Sequence, residues 1–263
     1  MDLGLQGKAA LITGGSKGIG LATAIRLARE GAKVAICARN EEQLIVAAAR
    51  IVEEASVPDA DVLYVVADVT RQEDCERAVA AAVERFERLD ILVNNAGTSA
   101  AGPFERVTTD AWQQDLDLKL FGAIHCSRAA VPHLRNAGGG SIVNVTASFA
   151  KTPGASSLPT SVSRAAGMAL TKAMSRDLGP DRIRVNTVCI GLIRSDQIEK
   201  MWQRTAPDLT WEQFAADPRH DVPLGRIGDT EEAANVIAFL ASSAASYVTG
   251  TSVNIDGGKG AAL

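Results

Sequence analysis

A glycine-rich stretch near the start of the chain, Leu11-Ile-Thr-Gly-Gly-Ser-Lys-Gly-Ile-Gly20, has the composition of a loop that binds an anion. It follows a short apolar run and precedes a segment with apolar residues at helical spacing. Glycines let the backbone turn tightly and approach a ligand without an intervening Cβ. A helix that begins there directs its free N–H groups and positive dipole end at the loop. The stretch predicts a pyrophosphate-binding turn, although an ordinary strand-to-helix turn can have the same composition.

The length suits one α/β domain or two small ones, and the composition is that of an ordinary soluble globular protein. Hydrophobic residues make up 46% of the 263 residues and charged residues 22%, and the formal net charge of −4 gives no indication of nucleic-acid binding. No apolar stretch reaches the roughly 18 to 20 residues of a membrane span. The N-terminus runs almost directly into the first predicted strand, so we expect no secretion signal.

The remaining candidates for metal or thiol chemistry are scattered along the chain. The four cysteines form no CxxC pair, and we interpret them as buried free thiols of a reducing compartment, which predicts a cytoplasmic protein. The three histidines, His125, His133 and His220, have no partners at metal-ligand spacing. We therefore expect no metal site.

Short β-rich runs alternate with longer helical patterns, which predicts a doubly wound parallel sheet with helices on both faces, in one domain over residues 1–263. An irregular insert at 194–221, rich in tryptophan and other apolar residues, predicts a substrate lid, with a pair of surface helices as the alternative. The seven predicted strands span residues 8–13, 33–38, 62–67, 90–94, 141–145, 183–188 and 252–255.

These motifs resemble those of the short-chain dehydrogenase/reductase family almost from end to end. Thr13-Gly-Gly-Ser-Lys-Gly-Ile-Gly20 is similar to the family's TGxxxGxG turn, and Asn94-Asn-Ala-Gly97 is similar to its NNAG motif. Asp68 resembles the aspartate that contacts adenine, and Ile183-Arg-Val-Asn186 and Asp256-Gly-Gly258 match later family segments. The resemblance implies a Rossmann fold that binds NAD or NADP, usually in a homotetramer, with a dimer as the other expected homo-oligomer.

The resemblance also implies which residues contact the cofactor. The family's PGxIxT segment corresponds to Ile190-Gly-Leu-Ile-Arg-Ser195, where a serine replaces the threonine that bonds the carboxamide. The cofactor residues implied in this way are Gly14, Ser16, Lys17, Gly18, Ile19, Gly20, Arg39, Asp68, Val69, Asn95, Ala96, Gly97, Arg164, Gly191, Ile193 and Ser195.

The end of the second strand favours NADP(H) over NAD(H). A carboxylate there would bond the ribose hydroxyls and repel a 2′-phosphate, whereas a cation would attract it. Cys37 and Ala38 supply no carboxylate, while Lys17 and Arg39 supply positive charge. The alternative is that both cations are solvated surface charges.

The catalytic region departs from the family pattern. Family members carry a serine after the fifth strand, a YxxxK pair on the next helix and an asparagine on the central helix. The corresponding positions here are Ala147, Thr160, Arg164 and Lys119. A threonine hydroxyl has no ionisation comparable to that of a phenol, and an arginine stays protonated, so neither is a good proton-transfer group.

Other residues are candidates for the missing functions. Lys119 is the first, because a desolvated ammonium near Arg164 would have its pKa lowered towards a useful range. The alternative is a solvated lysine, or one salt-bridged to Asp115 or Asp117. These two aspartates are otherwise expected to be structural, because residues two apart point to different sides of a helix. Ser148 is a second candidate, as an oxyanion donor, and Thr160 and Ser163 remain hydrogen-bond donors for a substrate.

Three functions are consistent with these residues. The first is an NADP(H)-dependent oxidoreductase acting on a small carbonyl or alcohol, with a non-standard proton donor. The second is a nucleotide-binding pseudoenzyme that has lost the chemistry, and the third is a lyase or isomerase on the same fold. In each case the expected partners are a small molecule and further copies of the chain, with neither nucleic acid nor membrane.

Overall fold

The seven predicted strands form one parallel sheet in the computed structural model, which describes residues 2–262. The two ends of the predicted domain, Met1 and Leu263, lie outside the described residues. The strand order is β3-β2-β1-β4-β5-β6-β7. The strands are β1 (Ala9–Thr13), β2 (Lys33–Ala38), β3 (Val62–Val66), β4 (Ile91–Asn94), β5 (Gly140–Ala147), β6 (Ile183–Ile190) and β7 (Ser252–Ile255).

Helices cover both faces of the sheet, so the predicted doubly wound Rossmann architecture is confirmed. Helices α1, α2 and α9 pack on one face, and α3, α5 and α6 pack on the other. The helices are α1 (Gly18–Arg29), α2 (Glu41–Ala55), α3 (Gln72–Phe86), α4 (Thr109–Leu116), α5 (Gly122–Asn136), α6 (Thr160–Asp177), α7 (Asp196–Thr205), α8 (Trp211–Ala215) and α9 (Thr230–Ala241).

Alternation along the strands divides the apolar core into two layers. Ile12 belongs to the cluster under α1 and α9, whereas its neighbour Leu11 belongs to the cluster under α3 and α5. Successive side chains of a strand point to opposite faces, and both faces of a parallel sheet are buried. This explains why the strands appear in the sequence as continuous apolar runs.

Two features near the site were not predicted. Residues Asp117–Phe121 form a π-helical turn that joins α4 to α5, and Ala101–Gly102 pairs with Leu158–Pro159 in a short antiparallel ladder. The backbone N–H of Thr160 donates to the carbonyl of Ala100 over 3.3 Å, so this ladder holds the start of α6 against the loop that follows β4. Short π-turns often occur at functional sites.

The insert at 194–221 contains the short helices α7 and α8 and a small apolar cluster of its own. Phe214 is buried in that cluster, and the indole N–H of Trp202 donates to the carbonyl of Leu209 over 2.9 Å. The segment is therefore a pair of helices, as the alternative interpretation held. Its function as a lid stays a prediction.

Because all seven strands are parallel, their carboxyl ends share one edge of the sheet, where ligands of open α/β sheets bind. This edge, the C-terminal edge, brings together segments that are far apart in the sequence. The segments after the strands include Gly14, Arg39, Asp68, Asn95, Ser148, Gly191 and Asp256.

At the opposite edge of the sheet, the buried carboxylate of Asp90 ties the segment before β4 to the start of β1. One oxygen accepts from the backbone N–H of Ala9 over 3.0 Å, and both oxygens accept from Arg88 over 2.6 and 2.7 Å. Lys8 adds a bond of 3.0 Å. Burial raises the pKa of Asp90, but the bonds from Arg88, Ala9 and Lys8 lower it by more, so it lies below the ordinary 3.8.

We expect Asp90→Asn to lower the free energy of unfolding by about 1–3 kcal/mol at neutral pH. A lowered carboxylate pKa contributes stability that is present above the unfolded pKa and is lost as pH falls through the folded pKa. Urea unfolding between pH 2 and pH 7 should therefore show a smaller acid-dependent loss of stability in the variant than in the wild type. Equal pH dependence in both proteins would contradict this role of Asp90.

Candidate active site

The glycine turn after β1 has the geometry of an anion-binding loop. Gly14 has a φ of +63°, and a Cβ there would lie 2.9 Å from the Cα of Ala96. A Cβ at Gly20 would lie 2.3 Å from the carbonyl oxygen of Gly14. No side chain in residues 2–262 caps the first turn of α1, so its N–H groups are available to a ligand. These features fit a pyrophosphate group.

Asn95 fastens this turn to the end of β4. Its amide nitrogen donates to the carbonyls of Thr13 and Gly14, each over 3.0 Å. The hydroxyl of Thr13 in turn accepts from the backbone N–H groups of Asn95 and Ala96 over 3.0 Å. Asn95 therefore shapes the cofactor turn through its amide group, in addition to any direct contact with a ligand.

The two cations predicted to bind a 2′-phosphate lie in different surroundings. Arg39 is exposed at the end of β2, beside the turn, where the N–H of Gly15 donates to the carbonyl of Cys37 over 3.2 Å. The ammonium of Lys17 forms an ion pair with Asp196 at the start of α7. The charge of Lys17 is thus already engaged by the insert, and Arg39 is the better placed cation for a phosphate.

The predicted adenine contact lies just after β3. One carboxylate oxygen of Asp68 accepts from the N–H and the hydroxyl of Thr70 over 3.0 and 2.9 Å, which fixes the loop. Val69 is buried against Gly122, where a Cβ would lie 2.9 Å from its side chain. This contact joins the loop to the start of α5, next to the π-turn that contains Lys119.

A buried polar cluster lies where the π-turn meets α6. The ammonium of Lys119 donates to Asp115 and, over 2.7 Å, to the hydroxyl of Thr160. The second oxygen of Asp115 accepts from the hydroxyl of Ser163 over 2.5 Å. The side chain of Lys119 is 4% exposed, and that of Asp115 is 2% exposed. Lys119 is therefore salt-bridged, as the alternative interpretation predicted. Its ammonium is also desolvated, which a lowered pKa requires.

Arg164 completes the cluster from the next turn of α6. Its guanidinium donates to the carbonyl of Val145 over 3.3 Å. A Cβ at Gly97 would lie 3.6 Å from this guanidinium and 3.7 Å from the Cγ atom of Lys119, so both side chains pass beside Gly97. Lys119 and Arg164, together with Asn94 and Val145, line a cavity of about 20 Å³, roughly the volume of one water molecule.

Burial lowers the pKa of both cations, which is the direction that the sequence predicts for Lys119. Burial lowers the pKa of Lys119 below 10.5; the hydrogen bond to Asp115 opposes the shift, and the charge of Arg164 adds to it. Burial also lowers the pKa of Arg164 below 12.5, against the attraction of Asp115. The amine of Lys119 thus loses its proton more readily than that of an exposed lysine.

The other predicted residues lie around the same edge without joining the cluster. Ala147 ends β5 and Ser148 follows it, buried near Gly260. Gly191 packs on Asp256, where a Cβ would lie 2.4 Å from the aspartate side chain. The hydroxyl of Ser195 accepts from the N–H of Ile198 over 3.4 Å, which caps α7. The catalytic contribution of Ser148 and the cofactor contact of Ser195 remain predictions.

Neither tyrosine of the chain lies in the cluster. Tyr64 is on β3, which three other strands separate from β5, and Tyr247 is fully exposed before β7. Neither tyrosine therefore supplies a phenol to the cluster around Thr160.

Comparisons with known proteins identify the family. A family sequence model described as enoyl-(acyl carrier protein) reductase matches residues 14–259. The human protein dehydrogenase/reductase SDR family member 4 is 35% identical, with 97% of this chain and 88% of the relative covered. The chain belongs to the short-chain dehydrogenase/reductase family. Its similarity to such relatives supports a general oxidoreductase.

Solved structures agree with this assignment over the whole chain. A short-chain oxidoreductase from Pseudomonas aeruginosa, described as containing an atypical catalytic center, has a TM-score of 0.94 and 36% identity over 99% of this chain and 100% of that one. L-Sorbose reductase from Gluconobacter frateurii, solved with NADPH and L-sorbose, has a TM-score of 0.93 and 34% identity, with 100% of both chains covered.

Residues 2–262 contain neither a cluster of metal-ligating side chains nor a helix that could span a membrane. Over the described span, 2–262, no three His, Cys, Asp or Glu residues lie close enough together to hold a metal ion. No helix in that span is long and apolar enough to cross a membrane. His125 contacts the carbonyl of Val69 over 3.4 Å, and His220 contacts that of Phe214 over 2.7 Å.

The sequence offered Asp115 and Asp117 as alternative salt-bridge partners of Lys119 and did not choose between them. Both were expected to be structural because residues two apart point to different sides of a helix. The structure separates the two, since Asp117 accepts from Gln113 over 2.7 Å, whereas Asp115 faces Lys119. The useful signal was the i,i+4 spacing of Asp115 and Lys119, which places unlike charges on one helix face.

We expect Gly20→Ala to distort the glycine turn, because the added Cβ would meet backbone atoms that cannot move independently. The melting temperature should fall, and the affinity for a dinucleotide should fall by about tenfold or more, equivalent to at least ~1.4 kcal/mol. Gly154→Ala is the matched control, since nothing lies within 4 Å of a Cβ there. Unchanged dinucleotide affinity in Gly20→Ala would remove the turn from the binding site.

Proposed function

We propose that this family member is an NADP(H)-dependent oxidoreductase in which Lys119 replaces the usual tyrosine as the proton-transfer group. The proposed reaction moves a hydride to or from a small carbonyl or alcohol substrate. The observation that carries the proposal is the 2.7 Å hydrogen bond from the buried ammonium of Lys119 to Thr160, at the family's tyrosine position and beside Arg164.

The residues at the C-terminal edge fit a dinucleotide in this proposal. The N–H groups of the glycine turn would hold the pyrophosphate, and Arg39 would hold the 2′-phosphate. Arg164, which stays protonated, would bond the nicotinamide ribose, and Ser195 the carboxamide. A bound nicotinamide supplies or accepts the hydride. The preference for NADP(H) rests on the residues at the end of β2, where Arg39 stands and no carboxylate does.

The proton in this scheme moves through Lys119. In reduction its ammonium donates a proton to the substrate oxygen as hydride reaches the carbon, and the amine is left neutral. In oxidation the neutral amine accepts the proton of the alcohol. The cations of Lys119 and Arg164 also stabilise negative charge on that oxygen, which is worth more in a site from which water is excluded.

Access to Lys119 requires movement of neighbouring segments. Thr160 is 1% exposed and the side chain of Lys119 is 4% exposed, and a cavity of about 20 Å³ is far smaller than an ordinary ligand pocket. The loop at 97–103 covers Thr160, and the insert at 194–221 is linked to the glycine turn by the Lys17–Asp196 pair. These two segments are the proposed lid.

The same closure favours a second candidate function. A protein that binds a dinucleotide while its polar cluster remains closed would be a pseudoenzyme with a binding function. The ion pair between Lys119 and Asp115 would then only neutralise buried charge. This candidate differs from the first in one measurable respect, the absence of turnover.

The location and assembly in this proposal are those of a cytoplasmic homo-oligomer. The four cysteines are buried free thiols, which supports a reducing compartment; burial raises the pKa of Cys37 to about 12. Exposed apolar side chains such as Phe121, Phe239 and Leu224 support contacts with further copies of the chain.

The proposed activity is tested by fluorescence titration with NADPH and NADH, followed by a screen of small carbonyls and alcohols between pH 6 and pH 10. Tight NADPH binding with turnover supports the oxidoreductase. Binding without turnover of any compound favours the pseudoenzyme or a non-redox enzyme. Failure to bind either nucleotide contradicts both nucleotide-dependent functions.

Replacement of Lys119 by methionine should lower the rate of carbonyl reduction by about 10²–10⁴-fold, the usual contribution of general acid catalysis. The ammonium is the reactive form in reduction, so the wild-type rate should fall as pH rises through the pKa of Lys119, which lies below 10.5. Oxidation should show the opposite dependence. In Lys119→Met this pH dependence should disappear, whereas the exposed Lys172→Met should behave as wild type. An unchanged profile in Lys119→Met would exclude Lys119.

Replacement of Arg39 by alanine should weaken NADPH binding by about tenfold to a hundredfold and leave NADH binding nearly unchanged. The reason is the loss of a charge-assisted bond to the 2′-phosphate, which NADH lacks. Arg50→Ala is the control, because Arg50 lies farther along α2 and pairs with Glu54. Equal weakening of both nucleotides, measured at low salt, would show that Arg39 does not select between them.

A further inference from the structure

Asp115 is a buried carboxylate whose two oxygens serve two different partners. One oxygen accepts from the ammonium of Lys119, and the other accepts from the hydroxyl of Ser163 over 2.5 Å. Acidic side chains are almost never fully buried unless they are paired, because desolvation of the charge is costly. The burial of the Asp115 carboxylate therefore depends on its two partners, Lys119 and Ser163.

The charge balance of the cluster depends on this single carboxylate. The charged groups that face Lys119 are Asp115 from α4 and Arg164 from α6. Thr160 and Ser163 are neutral, and the thiol of Cys189 on β6 lies near Arg164, where burial raises its pKa. With Lys119 protonated, the cluster carries one net positive charge; with Lys119 neutral, Asp115 and Arg164 balance each other. Without Asp115, two buried cations would face each other unpaired.

The backbone explains how Asp115 reaches Lys119. Asp115 lies on the last turn of α4, and Lys119 lies four residues on, inside the π-turn at Asp117–Phe121. The carboxylate is also held from α6 by Ser163. The ammonium is thereby fixed between α4 and α6, with Thr160 as its second acceptor.

We propose that Asp115 is the positioning residue of the active site: it holds the ammonium of Lys119 against Thr160 and favours its protonated form for proton donation in reduction. This inference rests on the proposed function of Lys119 and goes beyond it, since it assigns the proton-transfer unit to the pair of residues. The direction of the hydrogen-bond effect agrees, because the bond to Asp115 opposes the lowering of the pKa of Lys119.

The first test is the pH dependence of reduction in Asp115→Asn, which keeps the shape and an acceptor for Ser163 but removes the charge. With NADPH and 4-nitrobenzaldehyde as the probe, the alkaline fall in rate should move to lower pH by about one unit or more, which costs about tenfold in kcat at alkaline pH. The affinity for NADPH should be unchanged. Asp117→Asn, two residues on at the start of the π-turn, is the matched control, and its profile should equal that of the wild type.

The outcomes separate this inference from the proposed function. If the pH dependence survives in Lys119→Met, or the wild type does not reduce the probe or any carbonyl of the screen, the proposed function itself fails. If Lys119→Met abolishes the dependence but Asp115→Asn leaves its position unchanged, only the role of Asp115 is overturned.

A second test does not depend on activity and remains informative if Asp115→Asn does not fold. Thermal and urea unfolding of Asp115→Asn, Lys119→Met and the double variant form a double-mutant cycle. Loss of Asp115 should destabilise the protein more when Lys119 is present than when methionine replaces it, so the double variant should recover stability or folding. Additive effects, or an unfolded double variant, would overturn the proposed pairing.

Discussion

Two cations and one carboxylate share a space from which water is almost excluded, and this charge balance constrains the whole active site. The charge of Arg164 lowers the pKa of Lys119, and Asp115 is the carboxylate that attracts both cations. In water such charges would be screened, but inside a protein they set protonation states and positions. The protonation of the Lys119 amine therefore depends on its neighbours.

The parallel sheet brings this cluster to the same edge as the glycine turn. The glycine turn, the NNAG segment and the end of β5 reach that edge because all strands run in one direction. Asn95 then ties the turn to the end of β4 through its side-chain amide.

The polar cluster around Lys119 is closed to solvent and encloses only a cavity of about 20 Å³. The loop after β4 accepts a hydrogen bond from the backbone of Thr160, and Asp196 pairs with Lys17 in the glycine turn. The glycine turn and the insert are therefore linked through one ion pair.

The sequence alone determined the fold, the glycine turn and the absence of a tyrosine at position 160, because strand periodicity and glycine requirements are local properties. It also indicated Lys119, since this residue stands at the family's asparagine position and a desolvated ammonium near Arg164 would have a lowered pKa. Only the folded chain shows that Lys119 pairs with Asp115 and not with Asp117, and that Lys17 pairs with Asp196. It also shows that Tyr64 and Tyr247 lie far from the polar cluster. These facts depend on contacts between α4, α6, the insert and distant strands, and such contacts leave no local pattern in the sequence.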